Sequence, residues 1–284
     1  MPNVVAVIVS HDPDLARFRL VLNSLVGEVD GVIIVDNASR NINEIMKLCG
    51  QVPNCSVVRL QFNSGIAYAL MKGVHYAMDN YNPEWLLFLD DDTILINNAL
   101  HTVFKAYTSL PEKIRDRVGV LHLGATEGDC KLYESRYNGF SGTLIKSNIA
   151  IKVCCRSNFF LDQADIDLYI RVRELGYLAL NLNCKLTRHK LGVKAWVPVI
   201  SNIVKRYVSY EPPWRYYYIV RNSTILLKEG RLDSLFYVRQ LLDWGGIRIL
   251  LRDGPLKFLK PLGLGLLHGI MNYEGVIEPR IFNT

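Results

Sequence analysis

The sequence has no C-x-x-C pair, no low-complexity segment, no internal repeat and no apolar run long enough to cross a bilayer. Each absence removes a class of protein. The six cysteines, Cys49, Cys55, Cys130, Cys154, Cys155 and Cys184, have the spacing of neither a zinc site nor a thioredoxin-like pair. Only Cys154 and Cys155 are close, and adjacent cysteines rarely bridge. Free thiols in a reducing cytosol are therefore expected. No stretch reaches ~18 residues without a charge, so no spanning helix is expected. The chain enters an apolar run at Val4 with no basic segment before it, which speaks against a signal peptide. A repeat of ~20–50 residues would indicate a solenoid, and none is visible.

What is present is a chain of 284 residues, half of them hydrophobic. That is enough for one large α/β domain, or for a domain of roughly 200 residues with an appendage. The net charge is +6. The basic excess lies late, at Arg171, Arg173, Lys185, Arg188, Lys190, Lys194, Lys205 and Arg206, then at Arg248, Arg252, Lys257 and Lys260. On charge alone such a half suits phosphate groups, anionic lipid or nucleic acid equally.

The most informative stretch is Trp85-Leu-Leu-Phe-Leu-Asp-Asp-Asp-Thr93, an apolar run ending in three carboxylates. The run reads as a short strand buried on both faces. Adjacent carboxylates repel one another unless a cation sits among them, and oxygen ligands suit Mg²⁺ or Mn²⁺. Alternate residues of an extended segment face the same way, so Asp90 and Asp92 can share a target while Asp91 turns aside. By itself the triplet could equally be a solvated turn capping the next helix.

The rest of the chain supplies context. Val4–Ser10, Gly31–Val35, Ser56–Leu60 and Trp85–Leu89 read as strands. Helices alternate with them: Leu15, Phe18, Leu22 and Leu25 recur at helical spacing, a helix follows near Asn43–Leu48, and another runs from Asn63-Ser64-Gly65 to about Met78 with Ser64 as its cap. This alternation predicts a parallel, doubly wound sheet. Right-handed crossovers then bring His11-Asp12, Asp36-Asn37, Asn63-Ser64-Gly65 and Asp90–Asp92 to one edge. Further on, Asn98–Leu110 reads as a helix and Val118–Leu123 as a strand. Lys131–Tyr137 and Gly142–Ile145 read as strands joined by a glycine-rich turn. A helix spans Ala164–Leu175, with Gly176 ending it, and Leu178–Leu182 is a strand. Lys185–Gly192 is a basic loop, and Trp214–Leu227 and Leu232–Leu251 are helices.

The ordered clusters VAVIVSHDPD, VDNAS, NSGIAYALMKG, LLFLDDDT, SGTLI, FFLDQADIDLYIRVRELGY and RHKLG resemble the family 2 inverting glycosyltransferases with a GT-A fold. The resemblance covers roughly residues 3–195. RYYYIVRNSTILLK is similar to the bacterial rhamnosyltransferase branch and extends it to about residue 228. It implies a GT-A, Rossmann-like domain over 1–200, with a mostly parallel central sheet flanked by helices, and a C-terminal helical appendage over 201–284. It also implies that Asp90 and Asp92 form a DxD motif. Asp92 would bind Mn²⁺ or Mg²⁺ directly, Asp90 would reach the ribose or a metal-bound water, and Asp91 fills the variable middle place among the donor-binding residues. Asp36 would hydrogen-bond a pyrimidine base, Ser10 and His11 would lie along the nucleoside, and Asn63 and Gly65 would close over it. Asp165 stands where the family places the general base, with Asp167 as competitor; a helix turns about 200° between them, so both cannot face one hydroxyl. Ala164-Asp165 replaces the family's frequent Glu-Asp. His189 would complete the metal or diphosphate site, and Arg221 with Asn222 would approach the diphosphate or acceptor. Arg171 reads as a structural ion-pair partner.

The expected activity is transfer of a sugar from a nucleotide donor to a glycan hydroxyl in bacterial surface polysaccharide synthesis. dTDP-L-rhamnose is the preferred donor, and a UDP-hexose or UDP-galactofuranose the alternative. Residues 244–273 mix basic and bulky apolar residues. Lys260-Pro261 and the glycines break any spanning helix there, so the segment suits either packing against the core or lying on anionic lipid at the inner face of the cell membrane. A lipid-linked acceptor fits the latter. A metal-dependent nucleotidyltransferase would need a glycine-rich basic loop after the first strand, where Ser10-His11-Asp12-Pro13 stands. A nucleic-acid module is weaker still, because the aromatics are not interleaved with Lys or Arg on strands.

Overall fold

The structure, a computed structural model, describes residues 1–189 and 193–282. Residues 190–192 of the expected basic loop, and the side chain of Trp244, lie outside the described residues. The chain divides into two compact units, Met1–Ser157 with Asp165–Lys190, and Asn158–Ala164 with Leu191–Thr284.

The first unit runs β1 (Val4–Ser10), α1 (Leu15–Leu25), β2 (Gly31–Asp36), α2 (Ile42–Cys49), β3 (Cys55–Arg59), α3 (Ile66–Asn80), β4 (Trp85–Asp90), β5 (Ile94–Leu95), α4 (Ala99–Thr108), α5 (Glu112–Arg115), β6 (Val118–His122), β7 (Leu132–Glu134), β8 (Thr143–Lys146), α6 (Ser147–Val153), α7 (Ala164–Glu174), β9 (Leu178–Leu182) and β10 (Thr187–Arg188). Eight strands make one sheet in the order β3-β2-β1-β4-β8-β6-β9-β7. Neighbours β3, β2, β1 and β4 are parallel, as are β6 and β9, while β8 runs against both β4 and β6, and β7 against β9. The sheet is therefore mostly parallel, as expected. From β1 the chain winds outward through β2 and β3, then returns to place β4 on β1's other side. Such a reversal of strand order opens a crevice at the carboxyl ends, where α/β sheets bind ligands.

Local chemistry explains these elements. Val4 to Ile8 are buried on both faces, as a central parallel strand requires. Asp14 caps α1 by accepting from the Ala16 and Arg17 amides at 3.0 and 3.1 Å. Phe18, Val21, Leu22 and Leu25 turn the buried stripe of that helix inward. In α3, a Cβ on Gly73 would lie 2.3 Å from Val7 Cγ1 and 2.9 Å from Val35 Cγ2, so glycine sets the close approach of helix to sheet.

Three expectations for this unit need correction. Ser64 does not cap α3. Gly65 occupies the cap position with φ +82°, and Ser64 bonds the Asn37 side chain instead. The strand expected over Lys131–Tyr137 is confined to Leu132–Glu134; β7 lies at the sheet edge on β9, and β8 is inserted between β4 and β6. The cysteines are not free: Cys49–Cys55, Cys130–Cys184 and the adjacent Cys154–Cys155 are bonded. Strand pairing accounts for the second bridge. The antiparallel register Leu132↔Leu182, continued by two residues, sets Cys130 opposite Cys184. The first joins the end of α2 to the start of β3 across a short turn.

The second unit contains β11 (Val193–Ala195), α8 (Ile200–Val204), β12 (Val208–Tyr210), α9 (Pro213–Lys228), α10 (Ser234–Leu241), a π-helical turn at Leu242–Gly246, α11 (Ile247–Asp253) and α12 (Pro255–Ile270). The single helix expected over Leu232–Leu251 is thus interrupted by a π turn. The break expected at Pro261 is absent, since α12 continues through it. Packing on α9 accounts for that. Pro261, Gly265 and Gly269 recur every four residues and are buried, and a Cβ on Gly265 would meet Val220 Cβ at 2.7 Å. Among the described residues, no helix is long and apolar enough to cross a membrane.

Candidate active site and metal-binding cluster

The carboxyl ends of β1, β2 and β4 are level because their registers are. Ser10 pairs with Asp36, and Val9 with Asp90. Hydrogen bonds then tie the loops together. The Asn37 amide N–H donates to the Ser10 carbonyl at 2.8 Å, and His11 Nδ1 lies 2.8 Å from the Asn37 carbonyl. Asn37 Nδ2 donates to Asn63 Oδ1 at 2.9 Å, while Asn37 Oδ1 accepts from the Ser64 amide at 2.8 Å. Asn63 Oδ1 also accepts from the Gly65 amide at 3.1 Å. Asp36 is fully enclosed, with its carboxylate accepting from the Ser39 amide at 3.2 Å. Ser10, His11, Asp36, Asn63 and Gly65 therefore belong to one connected edge.

The triplet splits as an extended segment should. Asp91 turns toward β1, where its Oδ2 accepts from the His11 amide at 3.3 Å. Burial pushes Asp91 up to about 6; the charges of Asp90 and Asp92 add to that, and the His11 amide and Ser10 hydroxyl oppose it. Asp90 and Asp92 face His189 instead, and one ligand atom from each of the three lies within 4.8 Å of the others. Register again explains the meeting. β10 pairs antiparallel with β5, Thr187 with Leu95 and Arg188 with Ile94. Continuing by one residue sets His189 against Thr93, whose hydroxyl lies 2.6 Å from His189 Nδ1. Asp92 Oδ1 lies 3.0 Å from the same nitrogen, and this carboxylate raises the imidazole above its ordinary value.

The donor set fits a divalent cation. Asp92 Oδ1 is buried with His189 Nδ1 as its near neighbour, so a carboxylate oxygen and an imidazole nitrogen converge on one point. Two carboxylates and an imidazole suit Mn²⁺ or another borderline ion, with Mg²⁺ favoured less by the nitrogen.

Asp165 is half-buried at the start of α7, where its Oδ1 accepts from the Ile166 amide at 2.8 Å. One turn later Tyr169 is buried, its hydroxyl 3.0 Å from Thr143 Oγ1, and Thr143 pairs with Phe88 two residues before Asp90. Asp167 is fully buried, 2.6 Å from Arg171 Nε and 3.7 Å from Arg156 Nη1. Arg171 is the ion-pair partner the sequence suggested. Arg221 lies in the second unit, fully buried. Its Nε donates to Asn222 Oδ1 at 2.9 Å and its Nη1 to the Gly275 carbonyl at 2.6 Å, with the guanidinium over the rings of Tyr217 and Tyr218.

Sequence reading gave no site role to four residues that build this edge. Arg17 donates from Nε to the Asp92 carbonyl and from Nη2 to the Arg188 carbonyl, both at 2.8 Å, so one guanidinium holds both loops of the cluster. Ser141 Oγ accepts from the Asp90 amide at 3.0 Å and meets Thr93 Oγ1 at 2.7 Å. Asn37 and Thr93 stood directly beside residues already singled out, and that adjacency was the available signal. Ser141 stood in the SGTLI cluster and its glycine-rich turn, whereas nothing local marked Arg17, whose role depends on chain pairing.

Residues 7–122 match the model of glycosyl transferase family 2. The dTDP-rhamnosyl transferase RfbF of Shigella flexneri is 23% identical over 298 residues, covering 96% of this chain and 97% of that protein. Two solved structures share the fold. The mannosyltransferase PcManGT from Pyrobaculum calidifontis, in complex with GDP-Man and Mn²⁺, superposes with a TM-score of 0.57 at 14% identity, over 96% of this chain and 88% of its own. S. aureus TarS gives a TM-score of 0.60 at 12% identity over 98% of this chain, which spans only 50% of the TarS chain. Taken with the sheet order and the residues along its carboxyl edge, these matches identify a glycosyl transferase family 2 domain over residues 7–122, in a glycosyltransferase of GT-A fold.

Proposed function

We propose that this chain transfers L-rhamnose from dTDP-rhamnose to a hydroxyl of a glycan acceptor, with inversion, in the synthesis of a bacterial surface polysaccharide. The observation that carries the reading is the convergence of Asp90, Asp92 and His189 at the reversal of strand order. A divalent cation held by these three, Mn²⁺ or Mg²⁺, would offset charge on the departing diphosphate.

The chain's own residues do the rest. Ser10 and His11 line the nucleoside, and the Asn63–Gly65 segment, pinned by Asn37, closes over it. Asp36 is covered by its turn to Ser39, and it meets the pyrimidine in a donor-bound state in which that turn opens. Asp91 supports the β1 loop from behind. Asp165 receives the proton of the acceptor hydroxyl as the new carbon–oxygen bond forms at the anomeric carbon and the bond to the diphosphate breaks on the opposite face. The positive end of α7 favours its ionised form. Arg221 orders the second unit through Asn222 and the Gly275 carbonyl. The likeness to a dTDP-rhamnosyl transferase over nearly the whole chain supports the choice of donor.

A thermal-shift panel of dTDP-rhamnose, UDP-hexoses, UDP-galactofuranose and GDP-mannose, each with and without Mn²⁺, tests the reading. A ligand that binds only the native state stabilises it by mass action. The largest shift is expected with dTDP-rhamnose plus Mn²⁺. A larger metal-dependent shift with a UDP-sugar would replace the donor, and no shift with any nucleotide-sugar would remove the proposal.

A further inference from the structure

Helix α12 is built inside out for a helix that faces water. Its small residues, Pro261, Gly265 and Gly269, are turned inward, and the glycines fit against α9, where a Cβ on Gly269 would lie 2.6 Å from Thr224 Cβ and 2.8 Å from the Arg221 carbonyl. Its large apolar residues point the other way. Leu256 is 80% exposed, Leu259 56%, Leu267 51% and Ile270 60%. At 100° per residue these four fall within about 80° of one another around the helix, so they form a single outward stripe. Isolated exposed leucines are ordinary on protein surfaces, but a contiguous row of them marks a contact face.

Charge identifies what covers it. α12 contains Lys257, Lys260 and His268 and no Asp or Glu. Both lysines are exposed, and both lie in the turn that carries Leu256 and Leu259. A second copy meeting this face about a twofold axis would bring the same lysines together with no carboxylate on the helix to answer them. An anionic lipid surface answers both features, since acyl chains accept the leucines and phosphate headgroups the ammonium groups.

We propose that the outer face of α12 seats this chain on a membrane leaflet rich in anionic lipid, with the helix lying in the interface. The proposal stands apart from the choice of donor sugar, because none of these side chains belongs to the catalytic edge.

Co-sedimentation of the full chain with vesicles tests it, using pure phosphatidylcholine and phosphatidylcholine mixed with phosphatidylglycerol. The wild-type chain is expected to pellet with the mixed vesicles, and less so as salt is raised. Leu256→Gln with Leu259→Gln and Leu267→Gln is expected to weaken partitioning by at least ~tenfold on loss of the inserted apolar surface. Lys257→Gln with Lys260→Gln is expected to cost roughly fivefold per lysine on mixed vesicles and little on neutral ones. All three leucines are exposed, so the variants should keep the wild-type circular dichroism and donor-induced thermal shift. Equal pelleting of wild type and the leucine variant would overturn the proposal. So would a wild-type chain that ignores vesicles but sediments as a dimer which the leucine variant abolishes, for then a second copy is the occupant.

Discussion

Two aspartates two residues apart in α7 should fail in opposite ways. Asp167 is fully buried between Arg171 and Arg156, whose side chains are 31% and 11% exposed. Asp167→Asn removes the negative charge that two guanidinium groups share. Breaking a buried pair typically costs ~3–5 kcal/mol. Arg171 reaches solvent and relieves part of that, so about 3 kcal/mol is expected. For a chain of this size each kcal/mol lowers Tm by roughly 2–4 °C, which makes a fall of about 6–12 °C. Asp165→Asn keeps an oxygen that accepts from the Ile166 amide, so its cost should stay under ~1 kcal/mol. Its effect should fall on transfer, with a loss of ~10²–10⁴-fold if the carboxylate takes the acceptor proton. Calorimetric unfolding and a donor titration, run beside a transfer assay, separate the two. Asp165→Asn should bind donor, melt normally and fail to transfer. Asp167→Asn should melt early and, below its Tm, retain transfer. If instead Asp167→Asn were stable and inactive while Asp165→Asn transferred normally, the assignment of roles along α7 would be reversed.

Asp92→Ala should abolish Mn²⁺ binding in isothermal titration and leave Tm unchanged or raised, because a carboxylate is removed from beside Asp90 and Asp91; retained stoichiometric binding would dismantle the cluster. His122 is held between the Ser141 carbonyl at 3.2 Å and Asn181 Oδ1 at 3.4 Å, and burial lowers its pKa to about 4. The unfolded chain, titrating near the ordinary histidine value, binds the proton first as pH falls, so this residue's contribution is intact above about pH 6.5 and lost between there and about pH 4. That loss amounts to roughly 2–3 kcal/mol, and urea unfolding should show a smaller difference between pH 7 and pH 4.5 for His122→Asn than for wild type. Gly73→Ala forces its Cβ onto Val7 and Val35 and should cost ~1–3 kcal/mol in the same measurement.

The first ninety residues were legible because β1, β2 and β4 are buried on both faces and each strand leads into a polar cluster. Val4–Ser10 and Trp85–Leu89 have no competing pattern, and the crossover rule fixes which edge their ends share. Legibility fell where pairing is nonlocal. β7 and β8 read as strands joined by one turn, with nothing to say which partner each takes; β8 completes the centre of the sheet and β7 its margin. The disulfides failed for the same reason. Cys130 and Cys184 lie 54 residues apart, and only the register of β7 on β9 brings them together. Pro261 misled in another way. Proline disfavours a helix interior locally, but α12 is held by a stripe of small residues on α9, and tertiary packing outweighs the missing amide.

The candidate site shows where local reading stops. Alternation along an extended chain correctly separates Asp91 from Asp90 and Asp92, since that needs only the period of a strand. The third member of the cluster needs more. His189 lies nearly a hundred residues beyond Asp92, and its meeting with Thr93 follows from a two-residue antiparallel pairing too short to recognise in sequence. Arg17 then fixes both sides of that pairing from α1 through backbone carbonyls, which carry no sequence signature. The carboxylates were therefore readable as individual ligands. The geometry that makes them a site comes from strand register and from one arginine that bonds only main chain.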